Sequence, residues 1–273
     1  MPKHKNVPYS QSSEIHRRVR AQFGAAAAAY STSLTHSDPD ALRSLVKLAR
    51  PKSEDLALDI ATGAGHTALA LAPHVRGVTA YDMTEPMLAE TLRNAAARGL
   101  ANVSTRQGNA ENLPFPDASF DIVTVRHAPH HYADVRRAIG EMARVTKSGG
   151  RVLIVDSISP DDDVLDSQWN HLERLRDPSH VRNYRPSEWR AFVTEAGLRI
   201  TFEELSYATE KSGPMDFSSW VRRMNTPPAV VEELRRLFQQ ASPSLAAALR
   251  IQVIDGALRF CVPHITIACI RKG

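Results

Sequence analysis

The stretch Leu58-Asp59-Ile60-Ala61-Thr62-Gly63-Ala64-Gly65-His66 ends a short apolar strand and opens a helix. Gly63 and Gly65 carry no side chain, so the backbone can turn sharply and a ligand can approach the amides at the helix start. Asp59, at the strand end, is placed to accept a hydrogen bond from an amine or cationic group. A dinucleotide fingerprint would want a third glycine at the helix start. Here position 61 is alanine, and Thr67 and Ala68 follow the loop.

Outward from this loop, short apolar runs with strand character alternate with longer amphipathic segments. Strands are expected at Leu56–Ile60, Val75–Tyr81, Val103–Arg106, Phe120–Val125 and Arg151–Val155. The helices between them fall at Gly65–Ala72, Glu85–Arg98 with Gly99 as its stop, and Val135–Val145. Such βαβ alternation implies a parallel sheet with helices on both faces. A sixth strand, Arg199–Tyr207, follows a helix starting near Pro186, and a seventh spans Leu258–Ile270, with Pro263 as a place for a break. The expectation is an α/β, Rossmann-like, seven-stranded and mostly parallel sheet.

Around this core (residues 51–210, completed by 256–273) the pattern adds an arm and a cap. Residues 1–13 are polar and aperiodic, which predicts a disordered tail. Residues 14–50 read as N-terminal helices: Glu14–Tyr30, interrupted or ended near Gly24, and Pro39–Ala49, with Asp38 as N-cap and proline at the first helical position. The mainly helical pattern of Pro214–Ile254 is too long for a hairpin loop and reads as a helical cap inserted before the last strand, over residues 211–255. Asp161–Asp177 is a second helical cover.

Composition narrows the function classes. Apolar residues at 42% and charged residues at 23% of 273 are near the globular average, so most of the chain should bury a core. No apolar run approaches the roughly 20 residues that span a bilayer, so no stable membrane insertion is expected, and the polar N-terminus lacks a signal-peptide apolar region. The chain reads as soluble and cytoplasmic. A formal charge of +4, part of it from Lys3, Lys5, Arg17, Arg18 and Arg20, makes a weak basic arm and no nucleic-acid footprint. Cys261 and Cys269 lie in an apolar stretch and read as free buried thiols.

A second motif, Val78-Thr79-Ala80-Tyr81-Asp82, runs an apolar strand into a carboxylate. An acid at the end of the second strand is placed to bind ribose hydroxyls, although ordinary turn preference also puts Asp there. With the glycine loop the coincidence becomes informative. Leu58–Gly65, Asp82, Gly108-Asn109-Ala110-Glu111-Asn112-Leu113-Pro114-Phe115 with Ser119-Phe120-Asp121, and Arg144-Val145-Thr146-Lys147-Ser148-Gly149-Gly150 resemble successive motifs of class I S-adenosylmethionine-dependent methyltransferases. The branch they look most like contains the ubiquinone and menaquinone biosynthesis enzymes, and the likeness runs from about Phe23 to Gly197.

The resemblance implies S-adenosylmethionine as cofactor. Ala61, Gly63 and Gly65 would border its methionine part, Asp82 would hold the ribose, Met83 would pack on the adenine, and Asn109 with Ala110 would meet the adenine's polar edge. The family usually has Gly at position 61 and Asp at position 109; here alanine adds one methyl, and an amide oxygen can still accept. Similar proteins place an Arg and a His pair where this chain has Arg126-His127-Ala128-Pro129-His130-His131-Tyr132, which makes Arg126 a further cofactor contact. Phe23 to Tyr30 resembles the segment that lies over the cofactor in this branch.

Methyl transfer from a sulfonium needs an in-line nucleophile, exclusion of water and sometimes a base, while the leaving group departs neutral. His130 and His131 are the candidate bases, and His127, Arg182 and Tyr184 the candidate substrate contacts. The same histidines also suit a polar loop, and no ordered set of further ligands accompanies them, so no metal is expected. The substrate is read as a small molecule methylated on carbon, oxygen or nitrogen, a quinone precursor or a specialised metabolite. A homodimer stays open. Two other classes remain: a protein that binds S-adenosylmethionine without catalysis and serves as a partner, and an NAD(P)-dependent oxidoreductase. The latter would share the sheet and the acid after the second strand, but its fingerprint calls for a third glycine that this chain lacks. A nucleic-acid methyltransferase would want an Asn/Asp-Pro-Pro-Tyr-like tetrapeptide where this chain has Arg126-His127-Ala128-Pro129.

Overall fold

The computed structural model describes residues 9–31, 37–207 and 214–273. Two helices precede the sheet, α1 (Tyr9–Ser31) and α2 (Pro39–Ala49). In α2 the Asp38 side chain accepts the N–H groups of Asp40 and Ala41, and Pro39 occupies the first turn, as the sequence predicts. The helix α1 starts earlier and runs further than expected. It takes in residues 9–13 of the anticipated disordered tail, of which 1–8 lie outside the described residues, and it continues through Gly24. A helical glycine costs only about 1 kcal/mol relative to alanine, and Ala25 to Ala29 beside it are strong helix formers.

The main sheet has β1 (Leu56–Ile60), β2 (Gly77–Asp82), β3 (Val103–Gln107), β4 (Phe120–Arg126), β5 (Thr146–Ser157), β6 (Leu198–Tyr207) and β10 (Pro263–Arg271) in the order β3-β2-β1-β4-β5-β10-β6. Strands β3 to β5 pair in parallel. Only β10 runs antiparallel, between β5 and β6. This is the seven-stranded, mostly parallel sheet expected. In β1 the side chains alternate between two faces: Leu58 and Ile60 pack with Ile139, Met142 and Trp189, while Ala57 packs with Leu45, Ala68 and Leu71. The helices on those faces are α3 (His66–Leu71), α4 (Glu85–Ala97), α5 (Val135–Val145) and α7 (Pro186–Glu195), with α6 (Asp163–Arg176) after β5. Strand order reverses between β1 and β4, and the crevice beyond their carboxyl ends is where open α/β sheets bind ligands.

The cap is less purely helical than the periodicity suggests. Between β6 and β10 lie β7 (Met215–Asp216), α8 (Phe217–Arg223), α9 (Pro228–Gln239), α10 (Pro243–Ala248), β8 (Gln252–Ile254) and β9 (Ala257–Phe260), and the three strands form a second sheet in the order β7-β9-β8. The expected strand Leu258–Ile270 is therefore two strands in two sheets, parted at Cys261-Val262. Pro263, which has no N–H to donate, is tolerated as the first residue of β10. Trp169 of α6 joins Phe217, Trp220, Phe238 and Phe260 in one buried cluster that fixes α6 to the cap. Full burial of side chains of this size is worth roughly 1.5–3 kcal/mol each. None of the described helices is long and apolar enough to cross a membrane.

Candidate functional site

The loop after β1 is strained where the sequence needs glycine. Ala61 (φ 51°), Gly63 (φ 56°) and Gly65 (φ 88°) all adopt left-handed conformations. A Cβ on Gly65 would lie 2.7 Å from Thr91 Cγ2, and Thr91 Oγ1 itself donates to the Gly63 carbonyl at 2.9 Å. Asp59 braces the same loop. It accepts from Thr62 Oγ1 at 2.6 Å, Thr124 Oγ1 at 2.7 Å and the Ala68 N–H at 3.2 Å, tying together the loop, β4 and α3. Burial pushes its carboxyl pKa up to about 6 against those hydrogen bonds and the nearby Arg126 charge. Expected as an acceptor for a ligand's amine, Asp59 lines the cavity, but the chain itself engages both its oxygens.

That cavity encloses roughly 970 Å³, its open mouth included, beyond the ends of β1, β2 and β4. Ala61, Gly63, Asp82, Met83, Asn109, Ala110 and Arg126 all line it, whereas Gly65 stands behind, at the start of α3. Asp82 accepts the Gly63 N–H at 3.0 Å, the Thr84 N–H at 2.9 Å and Thr84 Oγ1 at 2.6 Å. Burial raises its pKa, with these bonds opposing the rise. On the far wall Tyr81 donates its hydroxyl to the Asn109 carbonyl at 3.1 Å, and any Cβ on Gly108 would run into that hydroxyl. Asn109 Oδ1 accepts the Glu111 N–H at 3.0 Å. Arg126 Nε donates to Thr67 Oγ1 at 3.2 Å, and burial lowers the Arg126 pKa to about 10 despite the charge of Asp59.

The helix α1 lies over this cavity, which His16, Val19 and Phe23 help to line. His16 Nε2 sits 3.2 Å from Glu111 Oε1, and Gln22 Nε2 donates to the Met224 carbonyl of the cap at 3.3 Å. The Tyr132 hydroxyl, also in the lining residues, is buried and has no hydrogen-bond partner among the described residues. Side chains from 25 to 30, the rest of the expected cover, lie outside the described ones.

Phe23, His127 and His131 line a second chamber as well, of roughly 650 Å³ with its open mouth included, walled further by α6 and the cap. His127 has a left-handed backbone (φ 55°), and its ring packs on His264 with 5.1 Å between centroids. His130 lines only the second chamber. Its Nδ1 is 2.6 Å from Asp156 Oδ1, and its N–H donates to Asp156 Oδ2 at 2.9 Å. Burial pushes the His130 pKa down, but the charge and hydrogen bond of Asp156 outweigh it, so the pKa is raised. The neighbouring imidazoles go the other way. Burial, with repulsion from His130, lowers His131 to about 4, and burial lowers His264 to about 4 and His180 well below its usual value.

Two expected substrate contacts lie outside both chambers. Arg182 and Tyr184 line neither chamber. The Arg182 guanidinium pairs with Asp166 at 3.0 Å and Glu188 at 3.1 Å, and the Tyr184 ring packs on Trp189 and Phe192. The same segment instead contributes Arg176 and His180 to the second chamber. Asp156 is absent from the sequence-derived set, although its place at the carboxyl end of β5 is a signal that could have found it. His264 and His16 carry no such signal, because only tertiary packing brings them to the site.

Residues 58–154 match the family described as Methyltransferase domain. An uncharacterized methyltransferase of Bacillus subtilis, YcgJ, is 37% identical over 268 residues, which cover 97% of this chain and 98% of that protein. The crystal structure of YcgJ superposes with a TM-score of 0.78 at 39% identity, covering 85% of this chain and 98% of the other. The demethylmenaquinone methyltransferase of Thermus thermophilus is 41% identical over 120 residues, 43% of this chain and 54% of that enzyme.

Proposed function

The chain belongs to the methyltransferase family, and from that premise we propose that its first cavity binds S-adenosylmethionine while the second chamber takes a small molecule that His130 deprotonates. The observation that carries this reading is the wall of Phe23, His127 and His131 common to both spaces. It lets a donor in one meet a nucleophile in the other with little water between them.

The residues fit the cofactor. The Asp82 carboxylate would hold the ribose hydroxyls, and the bare backbone at Gly63 would admit the methionine part, whose carboxylate the charge of Arg126 in the lining would complement. Met83, Asn109 and Ala110 would enclose the adenine. The unpartnered Tyr132 hydroxyl is a further polar group that a ligand would satisfy. When bound, S-adenosylmethionine supplies an electrophilic methyl group on a sulfonium.

The chain's own chemistry is that of a base. Donation from His130 Nδ1 to Asp156 sets the tautomer and leaves Nε2 as the basic nitrogen. Asp156 stabilises the imidazolium that forms when Nε2 takes a proton from an oxygen, nitrogen or activated carbon. Between the two candidate bases, His130 is therefore favoured over His131, whose lowered pKa makes it a weak proton acceptor. The likeness to demethylmenaquinone methyltransferase extends over 54% of that enzyme, so it supports the reaction class and places quinone precursors in the substrate screen. A screen with labelled methyl donor, comparing wild type with His130→Ala, tests the reading: transfer that persists undiminished in the variant would overturn the role of His130.

A further inference from the structure

Among the described residues, two nitrogens in the lining of the second chamber, Arg176 Nε and His180 Nδ1, are buried without a hydrogen-bond partner. Arg176, the last residue of α6, is 7% exposed. Its Nη2 lies 2.8 Å from Glu173 Oε2, and its Cζ sits 4.7 Å from the centroid of the Trp220 ring, so the guanidinium is held on two sides. The Nε is buried and has no hydrogen-bond partner among the described residues. His180, 5% exposed, approaches Asn170 Oδ1 through Nε2 at 3.3 Å, while its Nδ1 is likewise buried without a partner. Leaving a polar group buried and unsatisfied costs roughly 1–3 kcal/mol, more when it is charged. Both residues line the chamber, whose other charged lining residues are Arg223 and Glu173.

The buried Arg176 Nε–H is a charged donor without an acceptor among the described residues, and a carboxylate entering the chamber would satisfy it. The chamber's remaining surface includes Met215, Met224 and Val262, suited to an apolar body. We propose that the second chamber recognises a small organic acid, whose carboxylate is held by Arg176 and whose apolar part rests on Met224 and Val262. The proposal rests on the reading of this chamber as the substrate site and adds the chemical class of the substrate. A rigid guanidinium stacked on an indole loses little rotamer entropy on binding, and its planar N–H groups match carboxylate geometry. A neutral amide of the same shape cannot draw on the charge, and should bind less well.

The test is calorimetric titration of the protein saturated with S-adenosylhomocysteine, using 4-hydroxybenzoate against 4-hydroxybenzamide and hexanoate against hexanamide. At least one acid should bind tenfold or more tightly than its amide. Arg176→Met should erase that preference while S-adenosylhomocysteine affinity stays unchanged. Equal affinity of acid and amide in both pairs, no binding by either acid, or a preference that survives Arg176→Met would overturn the proposal alone. Failure of the wild type to bind S-adenosylhomocysteine would overturn the cofactor reading, and the proposal with it. Should Arg176→Met lose S-adenosylhomocysteine affinity through misfolding, the wild-type comparison of acid with amide still decides.

Discussion

Asp156, fully buried, holds His130 by two bonds at once: Oδ1 lies 2.6 Å from the ring Nδ1, and Oδ2 accepts the backbone N–H at 2.9 Å. One carboxylate thus sets the ring's tautomer, its orientation and its basicity. His130→Ala should lower methyl transfer about 10²–10⁴-fold, the usual worth of a positioned base, with S-adenosylmethionine affinity unchanged. Loss of cofactor binding in that variant would mean that the residue acts structurally.

Asp156→Asn separates basicity from presence. A base works when neutral, so activity falls as pH drops through the His130 pKa, which Asp156 raises. Without that charge the acid limb of the pH–rate profile should move to lower pH, and the plateau should fall because the base is weaker. A limb that stays in place would contradict the assignment of His130.

The loop after β1 makes paired predictions of opposite sign. Gly65→Ala imposes a left-handed alanine and a Cβ 2.7 Å from Thr91, and should destabilise the fold by about 3 kcal/mol. Ala61→Gly relieves a left-handed alanine, and should stabilise by about 0.5–1 kcal/mol after the entropy that glycine adds to the unfolded chain. Denaturant midpoints of the two variants check both signs.

How much of this was legible in the sequence depends on the length of chain that carries each feature. The glycine loop and Asp82 are readable because each motif sits in one short segment with one local job. The strands were legible because β1 and its neighbours carry the β-branched and apolar runs of a buried sheet. The small sheet β7-β9-β8 was not: Met215-Asp216 is too short to show a period and pairs with β9 across the whole cap, while Gln252–Ile254 meets β9 in a hairpin whose only local signal is the Asp255-Gly256 turn. His264 reaches the chamber only because β10 inserts between β5 and β6, setting His264 opposite Ser157. Where Arg182 and Tyr184 point was not legible, because a mixed Arg, His and Tyr segment looks the same whether its side chains face a pocket or, as here, ion pairs and aromatic packing.

Buried neutral histidines make the fold sensitive to acid. His264 is held neutral down to about pH 4, whereas in the unfolded chain it takes a proton near 6.5, so its contribution is lost as pH falls between those values. Between pH 7 and pH 5 this amounts to about 2 kcal/mol. His264→Gln should reduce the wild type's loss of stability over that interval by a similar amount, read from denaturant unfolding at the two pH values. An unchanged difference would contradict the lowered pKa.

The cover formed by α1 has its own consequence. Because His16, Val19 and Phe23 wall the first cavity, deleting residues 1–31 should weaken S-adenosylmethionine binding by roughly tenfold, the equivalent of 1.4 kcal/mol. Unchanged affinity would show that the helix plays no part in holding the cofactor.

The most direct test of the account is calorimetric titration of the protein with S-adenosylmethionine and, separately, with NADH, in wild type and Asp82→Ala. Saturable binding of S-adenosylmethionine, weakened about 10–100-fold by removal of the buried carboxylate, is the predicted result. No binding, a preference for NADH, or affinity indifferent to Asp82 would contradict the assignment of the first cavity.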